Sequence, residues 1–330
     1  MRRVKVEENK NNIVAKANPL IRSKGHLSET SQKLIAMIIS MIRADDTELT
    51  QYALKRTDYL EKIDSSSNND ELLYQRAEEL MHNPFRVDGK LFNWCSMVDF
   101  KAVPGYIVFD IHPKLKPYLL ELRETLGFTQ YNIVNILSLK GDYVPRFYEL
   151  LKMEFEQYKA QYKKKYKKTP KKFMFEIEIE WLRQFMAIPN SYRYNDIKRN
   201  IILKAEEQLE AKTDIKFEWQ EIKFGRKVTG LHIWIKDNDK GSEDWLSSRK
   251  KFIDHVRKHY TPTPEDNIFP TIASPNQGDI KLDKDGKLYL LSKQKDLGIV
   301  DYNSMQSNKL WDWLYEQVKE KIIILKEDKQ

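Results

Sequence analysis

From Tyr194 to Ile235 the chain carries a pattern that few folds satisfy, a long amphipathic helix followed at once by two alternating strands. Ile197, Ile201, Ala205 and Leu209 recur at i, i+4 and mark one apolar face of a helix over Tyr194–Lys212. Ile215–Ile222 and Val228–Ile235 alternate as strands, and the KFGRK between them supplies Gly225 for a turn. Upstream, Arg146–Tyr158 reads as a helix with Phe147, Leu150, Leu151 and Phe155 inside, Phe173–Ile179 as a strand and Glu180–Met186 as a short helix. Helix, strand, helix, helix, hairpin is the order of a winged helix.

The same order occurs earlier. Ser31–Arg43 has helical spacing, Thr50–Leu54 is a short strand, and Asp58–Ile63 and Glu71–His82 are helical. Leu91–Phe100 and Tyr106–Ile111 then form a hairpin across Pro104-Gly105. Helical stretches at Lys114–Leu122 and Tyr131–Leu139 lead into the second copy. The expected fold class is α+β, with two tandem winged-helix domains over 13–127 and 128–238. A flexible arm over 1–12 and a C-terminal α/β extension over 239–330 complete it. The extension predicts a helix at Leu246–His259, a hairpin at Lys281–Leu291 around Asp285-Gly286, and an amphipathic helix at Leu310–Leu325.

Charge narrows the partners. The formal net charge is +8, and Ser138–Ile235 alone holds 21 Lys+Arg against 14 Asp+Glu. An excess concentrated in the middle third points to a polyanion, because neutralising phosphates releases counterions. Within it, Lys159–Lys172 has eight Lys and no acid; it reads as a solvated loop of general electrostatic use, with Tyr158, Tyr162 and Tyr166 spaced as if continuing the preceding helix. One cysteine, Cys95, excludes an internal disulfide framework. The sequence has no 18-residue apolar run and no apolar core near its start, so a cytoplasmic protein without membrane contact is expected.

Basic residues at the start of the Tyr194–Lys212 helix oppose its macrodipole, and Glu206, Glu207 and Glu210 near its end do the same. A phosphate or a guanine edge would offset that cost, and recognition helices contact bases through their first turns. Arg193, Tyr194, Asn195, Lys198 and Arg199 are therefore the expected readers of DNA. Lys223, Arg226 and Lys227 at the hairpin tip are expected on the sugar-phosphate backbone or in the minor groove. A solvated amphipathic helix and a solvated tip are the plain alternatives.

Enzymatic readings lack their residues. No G-x-x-x-x-G-K-[ST] phosphate loop occurs, and no His-x-His pair is available to hold a nicking metal. His255 and His259 share a helical face without a third ligand, and Asp283 and Asp285 open no complete calcium loop. No catalytic residue, metal or cofactor is expected.

Three segments then speak together: IVAKANPLIRS at Ile13–Ser23, FTQYNIVNILSLKGDYVPRFYELL at Phe128–Leu151, and YNDIKRNIILKAEEQLEAKTDI leading into IKFGRKVTGLHIWI. Spread in this order across residues 13–235, they resemble the theta-type plasmid replication initiators, the Rep proteins that bind iterons. The resemblance implies two winged helices on directly repeated origin DNA, origin opening, recruitment of a host initiator and helicase, and repression of the gene's own promoter by a dimer in equilibrium with monomer. It places Arg146 at the start of the second module's first helix, as a further DNA contact, and puts dimer contacts in the first module. The apolar side chains Trp94, Ile107 and Phe109 are the expected dimer surface. Gly141 departs from the family pattern, which has Ser there. A winged-helix transcriptional regulator without a replication role is the alternative.

Overall fold

A computed structural model describes residues 4–6, 13–43, 46–62, 70–122, 127–238, 271–272, 280–282, 287–290 and 295–299. The chain divides into two compact units, one of Met1–Tyr59 with Asn69–Ser242 and one of Leu60–Asn68 with Glu243–Gln330. The first module comprises β1 (Val4–Val6), β2 (Ile13–Ala17), α1 (Asn18–Ile21), α2 (Glu29–Ile39), β3 (Gln51–Lys55), α3 (Arg56–Lys62), α4 (Asp70–His82), β4 (Phe85–Val87), β5 (Lys90–Phe92), β6 (Cys95–Asp99), β7 (Tyr106–Ile111) and α5 (Lys116–Leu119). Then follow β8 (Phe128–Asn132), α6 (Ile133–Leu137), α7 (Val144–Tyr166), β9 (Lys172–Glu178), α8 (Ile179–Met186), α9 (Tyr194–Ile197), a π-helical stretch at Lys198–Leu203, α10 (Lys204–Lys212), β10 (Ile215–Phe224) and β11 (Lys227–Asp237).

The first sheet runs β1-β3-β7-β6 and the second β10-β11-β9. Helix α2 fills the first core: Leu34, Ile35, Ala36, Met37, Ile38 and Ile39 are all buried. Ser28 caps it, accepting a hydrogen bond from the Ser31 amide, and the Glu79 carboxylate accepts from the Ser28 and Ser31 hydroxyls at 2.6 and 2.5 Å. Burial works against that carboxylate's charge, and the Ser28 and Ser31 hydrogen bonds outweigh it and hold its pKa below the usual range.

Several elements differ from expectation. Leu91–Phe100 is not one strand: β5 turns back on β4 through Asp88 and Gly89, both at positive φ, and β6 starts afresh at Cys95. The missed cue is the Asp-Gly pair, a two-residue hairpin signal. Tyr131 and Asn132, expected to begin a helix, instead end the strand Phe128–Asn132, which pairs antiparallel with β2 from Ile13↔Asn132 to Ala17↔Phe128. Val4–Val6, inside the arm expected to be free, pairs in parallel with β3. Helix α7 runs through Tyr166, two turns into the lysine run, since no Gly or Pro interrupts it and lysines in a last turn suit the dipole.

The dimer expectation needs correction. Trp94 is 5% exposed, Ile107 1% and Phe109 0%. Ile107 and Phe109 lie in β7, an inner strand flanked by β3 and β6, and Trp94 packs 4.4 Å from Phe85. All three are therefore core residues of this chain, and none offers an outward surface. The edge strand of that sheet next to β7 is β6.

In the second unit, strands β12 (Thr271–Ile272), β13 (Ile280–Leu282), β14 (Lys287–Leu290) and β15 (Lys295–Ile299) make an antiparallel sheet in that order. β13 and β14 pair as the expected hairpin, with its Asp285-Gly286 turn outside the described residues. The helices expected at 246–259 and 310–325, with His255 and His259, also lie outside them, as do Asp283 and Asp285.

The two winged helices meet through polar bonds. Lys16 of β2 reaches Glu149 of α7 at 2.6 Å with both side chains buried, and the Tyr131 hydroxyl donates to the same carboxylate. Arg22 pairs with Glu154 at 2.6 Å, and the Glu29 carboxylate accepts from the Gly141 amide at 2.5 Å. Gly141 stands at φ +102°, where a side chain is strained. Lys16→Met strands a buried carboxylate and should lower stability by about 3–5 kcal/mol in urea unfolding, whereas Lys16→Met with Glu149→Leu should recover most of the loss. Ile107→Lys, which puts an unpaired charge in the core, should abolish the cooperative unfolding transition rather than yield a folded monomer.

Candidate nucleic-acid interface

Helix α8 and the helix that begins at Tyr194 form a helix-turn-helix. The turn is set by Ala187 at φ 49° and by Arg183, whose guanidinium donates to the Pro189 and Tyr192 carbonyls at 3.3 and 2.5 Å. Asp196 accepts from the Arg193 amide at 2.9 Å and closes the first turn. The expected stripe faces inward, with Ile197, Ile201, Ala205 and Leu209 at 0% exposure. Ile202 joins it at 0%, because the wider π turn at Lys198–Leu203 brings two adjacent isoleucines to the core.

The five expected readers fall into two groups. Arg193, Asn195 and Arg199 are exposed; Arg199 is 73% exposed and, among the described residues, its only carboxylate partner is Asp196 at 3.2 Å. Asn195 and Arg199, four apart, lie near one another on the solvent side of the helix. Tyr194 and Lys198 are half-buried and converge on Glu221 of β10, at 2.9 and 3.0 Å from the same oxygen, and Lys198 also lies 5.1 Å from the centre of the Trp219 ring. Lys223 holds the other Glu221 oxygen at 3.0 Å.

Hydrogen bonds from Lys223, Lys198 and Tyr194 hold the Glu221 carboxyl down to about 2. Burial, then the nearby carboxylate, raises the Tyr194 hydroxyl above its usual value. A carboxylate with a depressed pKa binds its partners above the ordinary carboxylate range and releases them only as pH falls toward 2. The triad is therefore intact throughout the neutral range. Two of the three acids late in the helix have partners on the same strand: Glu206 accepts from the Trp219 indole at 3.1 Å and Glu210 pairs with Lys216 at 3.2 Å. Their place against the dipole is offset by these contacts with β10.

The hairpin tip turns through Gly225, at φ 60°, and Arg226, between Phe224 and Lys227. A bulge after Ile222 re-aims it. Lys223, Phe224, Arg226 and Lys227 are all exposed, and Phe224 reaches 83%. Two residues were missed by sequence reading. Glu221 gave no signal, since only the packing of the helix on β10 brings it to Lys198. Phe224 was legible as an aromatic amid KFGRK but was passed over as part of a turn.

Arg146 belongs elsewhere. Its guanidinium donates to the Ser23 carbonyl, lies 4.6 Å from the Phe185 ring, and is pushed down to about 10 by burial. The expectation that it contacts DNA is corrected: the group is taken up between the modules. Among the described residues no three His, Cys, Asp or Glu side chains gather as a metal set.

Residues 13–152 match the family described as "Initiator Replication protein, WH1", and residues 178–235 match "Initiator Rep protein, WH2". The chain belongs to this family of replication initiators. Its members are DNA-binding proteins without catalytic chemistry. The initiator is similar in fold to a solved structure described as "Crystal structure of Pi initiator protein in complex with iteron DNA". The TM-score is 0.51 at 18% identity, over 70% of this chain and 100% of that one. No curated protein matches the sequence. No described helix is long and apolar enough to cross a membrane.

Glu221→Gln removes a charge that occupies Lys198 and Lys223. Affinity for a random duplex should rise about tenfold, and the slope of log K against log salt should steepen by about one to two units. Fluorescence anisotropy across a salt series reads both.

Proposed function

We propose that this initiator binds directly repeated plasmid origin DNA, with the Tyr194 helix in the major groove and the β10–β11 wing on the adjacent backbone. The observation that carries the reading is the pairing of exposed Asn195 and Arg199 on one helix face with an exposed basic wing tip at Phe224, Arg226 and Lys227. Asn suits adenine and Arg suits guanine as bidentate partners. The fold shared with an initiator solved on iteron DNA supports the same docking. Phe224 is placed to lie against the minor groove as an apolar wedge, with the cations beside it on phosphates.

Origin opening, recruitment of a host initiator and helicase, and repression by a dimer belong to the same proposal, for a protein acting in the cytosol. The dimer would form through the β6 edge, since Trp94, Ile107 and Phe109 are internal.

Footprinting on DNA flanking the protein's own gene tests the reading: tandem direct repeats are expected, and a lone inverted repeat would make the protein a regulator. On the footprinted repeat, Arg199→Ala should cost about 1–3 kcal/mol of discrimination over a scrambled duplex. Arg226→Ala with Lys227→Ala should weaken both duplexes alike and flatten the salt slope by about two units. Equal losses on both duplexes for Arg199→Ala would reduce that residue to a phosphate contact.

A further inference from the structure

The end of α7 and the neighbouring strand β9 carry a ladder of aromatic rings that the helix-turn-helix and wing do not use. Tyr158, Tyr162 and Tyr166 follow one another on a single helix face, with ring centres 5.6 and 4.6 Å apart. Tyr158 stacks on Phe173 of β9 at 4.3 Å and 20°, and Phe173 lies parallel to Phe175 at 5.7 Å and 5°. The outer end is open: Tyr166 is 51% exposed.

Lysines surround that open end. Lys163, Lys164, Lys167, Lys168 and Lys171 are exposed and have no carboxylate partner among the described residues, and Lys165 lies 5.0 Å from the centre of the Tyr166 ring. The dipole at the C-terminus of α7 accounts for cations in its last turn. It does not account for Lys167, Lys168 and Lys171, which follow the helix, nor for rings where leucine would pack as well. Unpaired like charges at this density repel one another, and a polyanion relieves that repulsion.

We propose that this overhang is a binding site for single-stranded DNA, in which Tyr162 and Tyr166 stack with bases and Lys163, Lys164, Lys167 and Lys168 hold the phosphates. A duplex does not fit the rings, because its bases are already stacked about 3.4 Å apart along each strand and offer no free face. An unpaired strand presents each base to an aromatic plane while its backbone follows a basic track. The site goes beyond the duplex reading and stands without it, since it uses α7 and β9 rather than the recognition helix and wing.

The test uses the full chain, a labelled 20-nucleotide oligothymidylate and a 20-base-pair random duplex. Tyr162→Leu with Tyr166→Leu keeps apolar bulk against Tyr158 and removes the ring planes. It should weaken oligothymidylate binding at least tenfold while duplex affinity stays within twofold, with circular dichroism unchanged. Lys163→Gln, Lys164→Gln, Lys167→Gln and Lys168→Gln together should flatten the salt slope on the single strand by about three units. A wild type that does not bind oligothymidylate overturns the proposal, as does a leucine pair that binds it normally or loses equally on both probes. Failure to find direct repeats by footprinting would sink the duplex reading and leave this one standing.

Discussion

A single buried carboxylate organises the junction of the two winged helices. Glu149 lies in a turn of α7 that is buried on every side, with Phe147, Tyr148, Leu150 and Leu151 sealed from solvent. A charge in such a place costs several kcal/mol unless it is paired and hydrogen-bonded. Its partners are Lys16 from β2 and Tyr131 from β8, the two strands that pair with each other across the start of the first module and its exit. Satisfying Glu149 therefore sets the position of that strand pair on the first helix of the second module. Arg146, Arg22 and Gly141 add directional bonds around it. Apolar packing alone would permit sliding at this junction; hydrogen bonds with fixed angles do not.

The side proposed to face DNA follows the opposite rule. There Arg193, Arg226 and Lys227 are exposed, Arg199 is exposed against Asp196, and Lys198 and Lys223 share one carboxylate. Glu221 keeps Tyr194, Lys198 and Lys223 together without neutralising Arg193, Arg199, Arg226 or Lys227. The half-buried residues thereby brace the helix against the wing, and the exposed ones are those proposed to contact base edges and phosphates. Such a division places the specific contacts on a rigid support, which is what a base contact of defined geometry requires.

Much of the site was legible because it is local. The stripe Ile197, Ile201, Ala205, Leu209 identifies the buried side of the recognition helix, so the exposed positions of Arg193, Asn195 and Arg199 follow from helical period alone. The hairpin tip around Gly225 is equally local. Tyr194 and Lys198 were expected as readers, but their engagement with Glu221 spans 27 and 23 residues and depends on how the helix packs on β10. Arg146 was misplaced for a related reason: its position on α7 is readable, but the Ser23 carbonyl and the Phe185 ring that claim it come from other parts of the chain.

The sequence by itself determined the fold class, the order of elements in the second module, the basic middle third and the solvent face of the Tyr194 helix. Each of these follows from periodicity, turn chemistry or composition within a few residues. Only the tertiary structure decided which strands pair, and therefore what is inside. The run Ile107-Val108-Phe109 in β7 is apolar by sequence, but only the packing of the folded chain, which leaves Ile107 at 1% and Phe109 at 0% exposure, decides that they meet their own core rather than a partner. The run after Tyr158 shows lysines and tyrosines, but only the length of α7 and the approach of β9 turn them into one ladder of rings. Period records which side of an element is apolar; it carries no information about what that side meets across a long stretch of chain.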